Sequence, residues 1–153
     1  MKRVILVTGG AGHVGSHIIE QLVEDKKNQV ISLYNYFTVK FENHVSGVEY
    51  RHGHTKEIQQ IVPEKVDVLF HLGEYARIAP SLTEPSLVYD LNMSGTFAVV
   101  EFCRQNGVKK LVYAASSTKF ATQGEERHKN PYSFTKANNV DLIKNYGSWY
   151  GLS

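Results

Sequence analysis

The stretch that most limits how this chain can fold runs from Val4 to Gly15. Val4-Ile5-Leu6-Val7-Thr8 is followed by glycines at 9, 10, 12 and 15. A continuous apolar run rich in β-branched residues predicts a strand buried on both faces. Past the glycines, Val14, Ile18 and Leu22, with Ile19 and Val23, recur at helical spacing, so a helix follows. Strand, glycine turn and helix in that order give such a motif mechanical meaning. One glycine turns the chain, another lets a diphosphate approach the backbone, and the last lets helix pack on strand. The first N–H groups of the helix lack internal partners and carry the positive end of its dipole, which suits a phosphate. A glycine-rich turn without a ligand has the same composition; the flanking pattern favours a nucleotide.

The rest of the composition narrows the class. A chain of 153 residues is sized for one core and one domain. A net charge of +2 without a basic block gives no sign of a nucleic-acid or membrane partner. The apolar runs at 4–8 and 68–72 are too short to span a bilayer. Met1-Lys2-Arg3 leads directly into the first strand, leaving no room for a signal peptide. Cys103 stands alone, so no disulfide framework is expected, and a reducing cytoplasm fits. Beside Phe102 in a helical stretch, it reads as a packing thiol.

Further along, Gln29 to Leu33 predicts a second strand, completing a βαβ unit. Dinucleotide folds usually place an acid at its end, for the adenosine ribose. Here Tyr34 and Asn35 follow instead. Residues 36–47 read as a loop, Val48 to His52 as a partly exposed third strand, and Thr55 to Ile61 as a short helix stopped by Pro63. His52 and His54 have chelating spacing, but no third ligand is patterned nearby, so no metal site is expected. Asp67 to Gly73 predicts a fourth strand and its exit, and Gly73 again permits close backbone approach. A long helix is predicted from Glu84 to Asn106, with Val88, Leu91, Gly95, Ala98, Val99 and Phe102 as its apolar stripe and Gly107 as its stop. Asn92 falls within that stripe. An amide facing a core must be hydrogen-bonded, whether to tie a loop or to serve a site. Lys110 to Ala115 predicts a fifth strand ending at Ser116-Ser117-Thr118, where open α/β sheets bind ligands. A polar loop over 123–130 leads to Pro131, which can start a final helix that Gly151 ends.

Tyr132 and Lys136 are four residues apart and share one face of that helix. A free tyrosine, with a pKa of about 10, is a poor base at neutral pH. A neighbouring ammonium favours its phenolate. Ser116 can bond a substrate hydroxyl and pass its proton to the tyrosine. An amphipathic surface pair has the same spacing; the order of glycine turn, hydroxyl cluster and tyrosine helix is what raises the chemical reading.

On these residues the chain resembles the extended short-chain dehydrogenase/reductase family, in particular the nucleotide-sugar epimerases and dehydratases of the UDP-glucose 4-epimerase type. Thr8 through His17 is similar to the family's T-G-G-x-G-x-x-G-S-H, and Phe70-His71-Leu72-Gly73 to its H-L-A-A turn. Asn92-Met93-Ser94-Gly95-Thr96 is similar to N-x-x-G-T, and Pro131-Tyr132 through Lys136 to P-Y-x-x-x-K. The resemblance implies a Rossmann-type doubly wound parallel sheet in three α/β/α layers, strand order 3-2-1-4-5. It implies Ser116, Tyr132 and Lys136 as catalytic residues. Bound NAD would be contacted by Gly9, Gly12, His13, Val14, Gly15, Tyr34, Asn35, His54, Thr55, Leu72, Gly73, Glu74, Asn92, Tyr132 and Lys136. Three positions depart from the family. Tyr34 replaces the ribose-binding aspartate, His54 an acid near the adenine, and Glu74 a small residue beside the cofactor.

The family continues past the tyrosine helix into a sixth strand and a substrate domain. The resemblance therefore makes residues 1–153 an NAD(P)-binding Rossmann domain without the substrate-binding half. Weak cofactor binding, poor turnover of sugar and an exposed fifth strand are the expectation. The implied reaction is 4-epimerisation of a UDP-sugar (UDP-glucose or UDP-N-acetylglucosamine) through transient oxidation at C4. The run Ser116-Ser117-Thr118-Lys119 lacks the acids of a dehydratase. A dehydratase or reductase is the alternative within the family, and a non-catalytic dinucleotide-binding module the alternative outside it. A homodimer through the long helix and the tyrosine helix is also implied, with Leu142, Ile143, Tyr146 and Trp149 available for contact.

Overall fold

The computed structural model describes residues 1–35, 37, 43–117 and 127–153. In chain order the elements are β1 (Arg3–Thr8), α1 (His13–Glu24), β2 (Asn28–Tyr34), β3 (Val48–His52), a 3-10 turn (Thr55–Glu57) and α2 (Ile58–Ile61). Then come β4 (Val68–His71), α3 (Ile78–Ser81), α4 (Pro85–Val88), a π-helical segment (Tyr89–Ser94), α5 (Gly95–Asn106), β5 (Lys110–Tyr113) and α6 (Pro131–Tyr150). The five strands pair in parallel in the order β3-β2-β1-β4-β5. β1 is central, as its unbroken apolar run from Val4 to Val7 requires. Its alternate side chains feed two cores. Leu6 packs with Ile58, Val99 and Phe102 on one face, and Ile5 and Val7 with Ile19 of α1 on the other. That makes three layers, and at β1 and β4 the strand order reverses, leaving a crevice at their carboxyl ends.

Several elements differ from the sequence expectation in instructive ways. The helix expected over 84–106 starts at Pro85 and contains a π segment at Tyr89–Ser94. The wider turn brings both Leu91 and Asn92 inside, followed by Gly95 and Thr96. Val14, counted in the apolar stripe of α1, is 60% exposed, because the first turn of the helix overhangs the strand ends. α3 has no counterpart in the sequence reading. β5 is the sheet edge, yet Leu111 N donates to Ser153 O at 2.7 Å, and Leu152 packs against the core, so its margin is partly covered. Gly107 and Gly151 end α5 and α6 in left-handed conformation, and the Asn130 side chain caps α6 by accepting from Ser133 N at 2.8 Å. Much of the loops expected over 36–47 and 123–130 lies outside the described residues. Cys103 is buried, and burial pushes its thiol up to about 12, as a packing residue requires.

Candidate active site

The crevice opens as a cleft of about 430 Å³ at the carboxyl ends of β1, β2 and β4. Its floor is made by missing side chains. Gly9 has φ +71°, and an added Cβ there would lie 2.7 Å from Gly73 Cα. Gly15 sits where a Cβ would lie 2.3 Å from Gly9 O and 2.8 Å from Gly10 Cα, so α1 can start directly on the turn. At Gly12 an added Cβ meets, among the described residues, only Gly9 O at 3.1 Å. Gly12 is also the N-cap of α1 and has no side chain to bond the free N–H groups of the first turn. His13 and Val14 are exposed beside it, and the first turn carries no acid. A diphosphate fits these features: open backbone, unfilled donors and a positive dipole end.

Of the residues expected to contact a cofactor, the cleft is lined by Gly9, Gly12, His13, Val14, Gly15, Tyr34, Asn35, His54, Thr55, Leu72, Gly73 and Glu74. Tyr34 is buried at the end of β2, and Asn35 Oδ1 accepts from Phe37 N at 3.2 Å. His54 caps the 3-10 turn, its Nδ1 accepting from Lys56 N at 3.0 Å, while Nε2 lies 3.7 Å from Asp90. Burial first, then the Lys56 charge, holds the His54 imidazole below its usual pKa. Phe37, Tyr75 and Arg77 also line the cleft, which their sequence context does not announce.

Asn92, Tyr132, Lys136 and Ser116 do not line it. Asn92 is fully buried. Its Oδ1 accepts from Tyr75 N at 2.7 Å, and its Nδ2 donates to Tyr75 O at 3.2 Å and Thr135 Oγ1 at 3.0 Å. It therefore ties the loop after β4 to α6. Ser116 is half-buried, three residues past β5, and Thr118 and Lys119 lie outside the described residues. Tyr132 is the second residue of α6, half-buried, near enough to Tyr113 to affect its ionisation.

Behind the cleft, side chains from β4, α5, β5 and α6 converge on Glu74. Its carboxylate accepts from Lys136 Nζ, from Tyr113 OH at 2.9 Å, from Thr96 Oγ1 at 2.7 Å and from Asn139 Nδ2 at 2.7 Å. The donor directions can be followed outward. Thr96 gives its proton to Glu74, so it accepts from His71 Nε2 at 2.8 Å. His71 is then protonated on Nε2, and its Nδ1 accepts from Thr8 Oγ1 at 2.7 Å. Thr8 Oγ1 accepts in turn from Gly73 N at 3.1 Å. The chain of bonds thus links the glycine turn to Lys136. Complete burial lowers the His71 pKa to about 4, which Glu74 opposes and Lys136 reinforces, so the ring is neutral at pH 7. Burial, then the Glu74 charge, pushes the Tyr113 phenol far above its usual value.

A reversed-order parallel sheet with an uncapped glycine turn at its crevice defines a Rossmann-type dinucleotide fold. Comparison with known proteins agrees. The model of the NAD dependent epimerase/dehydratase family matches residues 5–153, and the chain belongs to that family. It is similar to a putative UDP-glucose 4-epimerase of Methanocaldococcus jannaschii, 31% identical over 163 residues, with 97% of this chain and 52% of the relative covered. Among solved structures, it is similar to the Thermus thermophilus UDP-glucose 4-epimerase complex with NAD, with 32% identity and a TM-score of 0.83. That match covers 97% of this chain and 52% of the other. The UDP-glucose 4-epimerase of Thermotoga maritima with UDP-glucose gives 25% identity and a TM-score of 0.87, with the same coverages. The chain spans about half the length of the relatives it matches.

Proposed function

We propose that residues 1–153 form an NAD-binding domain serving the 4-epimerisation of a UDP-sugar. The observation that carries this reading is the open cleft on the uncapped N-terminus of α1, with no side chain at Gly12 to fill it. Backbone N–H groups of His13 and Val14 would hold the diphosphate, since that of Gly12 donates to Gly9 O at 3.0 Å. Tyr34, Asn35, His54 and Thr55 would line the adenosine end, and Leu72, Gly73 and Glu74 the other. Gly9 and Gly15 shape the turn, and Asn92 fixes the loop between. NAD, when bound, supplies the hydride acceptor for oxidation at C4 of the sugar. Ser116 would bond the C4 hydroxyl and Tyr132 take its proton, with Lys136 one turn further along the same helix. The acid-free run beginning at Ser116 favours an epimerase over a dehydratase.

In this reading the chain works in the cytoplasm as a homodimer. Phe97, Trp149 and Tyr150 on α5 and α6 are each more than half exposed and support such a contact. Tyr146 does not, because it is buried with its hydroxyl donating to Glu101 at 2.6 Å. Among the described residues no helix is long and apolar enough to cross a membrane.

Calorimetric titration with NAD and NADP, followed by product analysis with UDP-glucose, tests the proposal. Saturable NAD binding with any UDP-galactose formed supports it; no heat with either dinucleotide refutes it. A second reading, a dinucleotide-binding module without turnover, is favoured by one observation. Lys136 is bonded to Glu74 and to Ala114 O.

A further inference from the structure

We propose that Glu74 withholds Lys136 from the cofactor, so that a bound dinucleotide must compete with a buried carboxylate for that ammonium. The inference rests on the reading that the cleft holds NAD. Glu74 lines the cleft and Lys136 does not, yet the two are in direct contact. Gly73 fixes where the carboxylate stands. An added Cβ at Gly73 would lie 3.0 Å from Gly9 N and 3.2 Å from Thr8 C, so this backbone is pressed against β1. The Glu74 side chain is only 4% exposed and the Lys136 side chain 6%, so little water screens the pair. Tyr113, Thr96 and Asn139 hold the carboxylate from its other sides. The ammonium is held equally firmly. It donates to Glu74 and Ala114 O, and lies 4.5 Å from the centroid of the Tyr113 ring. An ammonium has three protons, and two are committed here. Tyr132, one turn earlier on α6, and any ligand hydroxyl must draw on what is left.

The test is a cycle of NAD affinities measured by calorimetry on the wild-type chain, E74Q and E74Q/K136M, each checked for folding by circular dichroism. Glu74→Gln keeps the shape and an acceptor but removes the charge. It is expected to tighten NAD binding about tenfold, the worth of one charge-assisted bond regained. Adding Lys136→Met should abolish that gain. No tightening in E74Q, or a gain that survives in the double variant, overturns the proposal. Failure of every protein to bind NAD, the wild type included, overturns the reading of the cleft and this inference with it.

Should E74Q not fold, E74A is put through the same cycle. A spectrum of the wild-type chain with 15N-labelled lysine needs no substitution. A slowly exchanging Lys136 ammonium signal that shifts or vanishes as NAD saturates supports the competition. A signal that NAD leaves unmoved contradicts it.

Discussion

The turn from β1 to α1 and the corner around Glu74, linked through Thr8, His71 and Thr96, are built by opposite means. At the turn from β1 to α1 the structure works by omission. Glycines let backbones meet, and the helix start is left without a capping side chain. At the corner around Glu74 it works by accumulation, with Lys136, Tyr113, Thr96 and Asn139 all donating to one carboxylate. The turn offers unsatisfied donors to a ligand. The corner satisfies its charges internally, and so competes with any ligand for them.

That contrast can be broken first at the corner. Lys136→Met leaves a carboxylate buried without its counter-ion, and should cost about 4 kcal/mol of stability in denaturant titration. Replacing both partners, as in E74A/K136M, should recover most of this, since no charge is then left stranded. A loss in E74A/K136M equal to the sum of the losses in E74A and K136M would show that the pair is not coupled.

The next effect is one of pH. His71 has its folded pKa lowered to about 4, below the unfolded value of about 6.5. The unfolded state therefore binds more protons between those values, and stability rises with pH across that window. The contribution, about 3 kcal/mol, is complete above pH 6.5 and is lost progressively as pH falls toward 4. Urea midpoints measured from about pH 4 to 7 check this, and His71→Gln should flatten the slope.

Smaller effects belong to the turn. Gly9→Ala places a Cβ at positive φ against the Gly73 backbone and should cost about 2 kcal/mol. Gly12→Ala, which meets only one oxygen at 3.1 Å, should cost a few tenths while still weakening NAD binding. If Gly12→Ala cost as much stability as Gly9→Ala, the distinction between the two glycines would fail.

The same contrast explains what can be read from the sequence. The turn is local, so spacing alone yields its strand, glycines and helix. The strand order follows from the βαβ pattern and the family resemblance. The helix ends at Gly107 and Gly151 are legible for the same local reason. The corner joins residues 71, 74, 96, 113, 136 and 139, and no window of sequence contains that meeting. Glu74 stands out as a departure near the cofactor, but its hold on Lys136 depends on four elements packing together. Asn139 carries no signal at all, since asparagines are common on exposed helix faces. Asn92 is visible as a polar residue in an apolar stripe; the π segment that buries it beside Leu91 is not.

The most direct test of the account is where NAD perturbs the backbone. In amide NMR spectra of the 15N-labelled chain, added NAD should shift Gly12, His13 and Val14 more than any other residues. Unmoved signals at those three, with shifts gathered instead on the exposed face of Phe97 and Trp149, would contradict it.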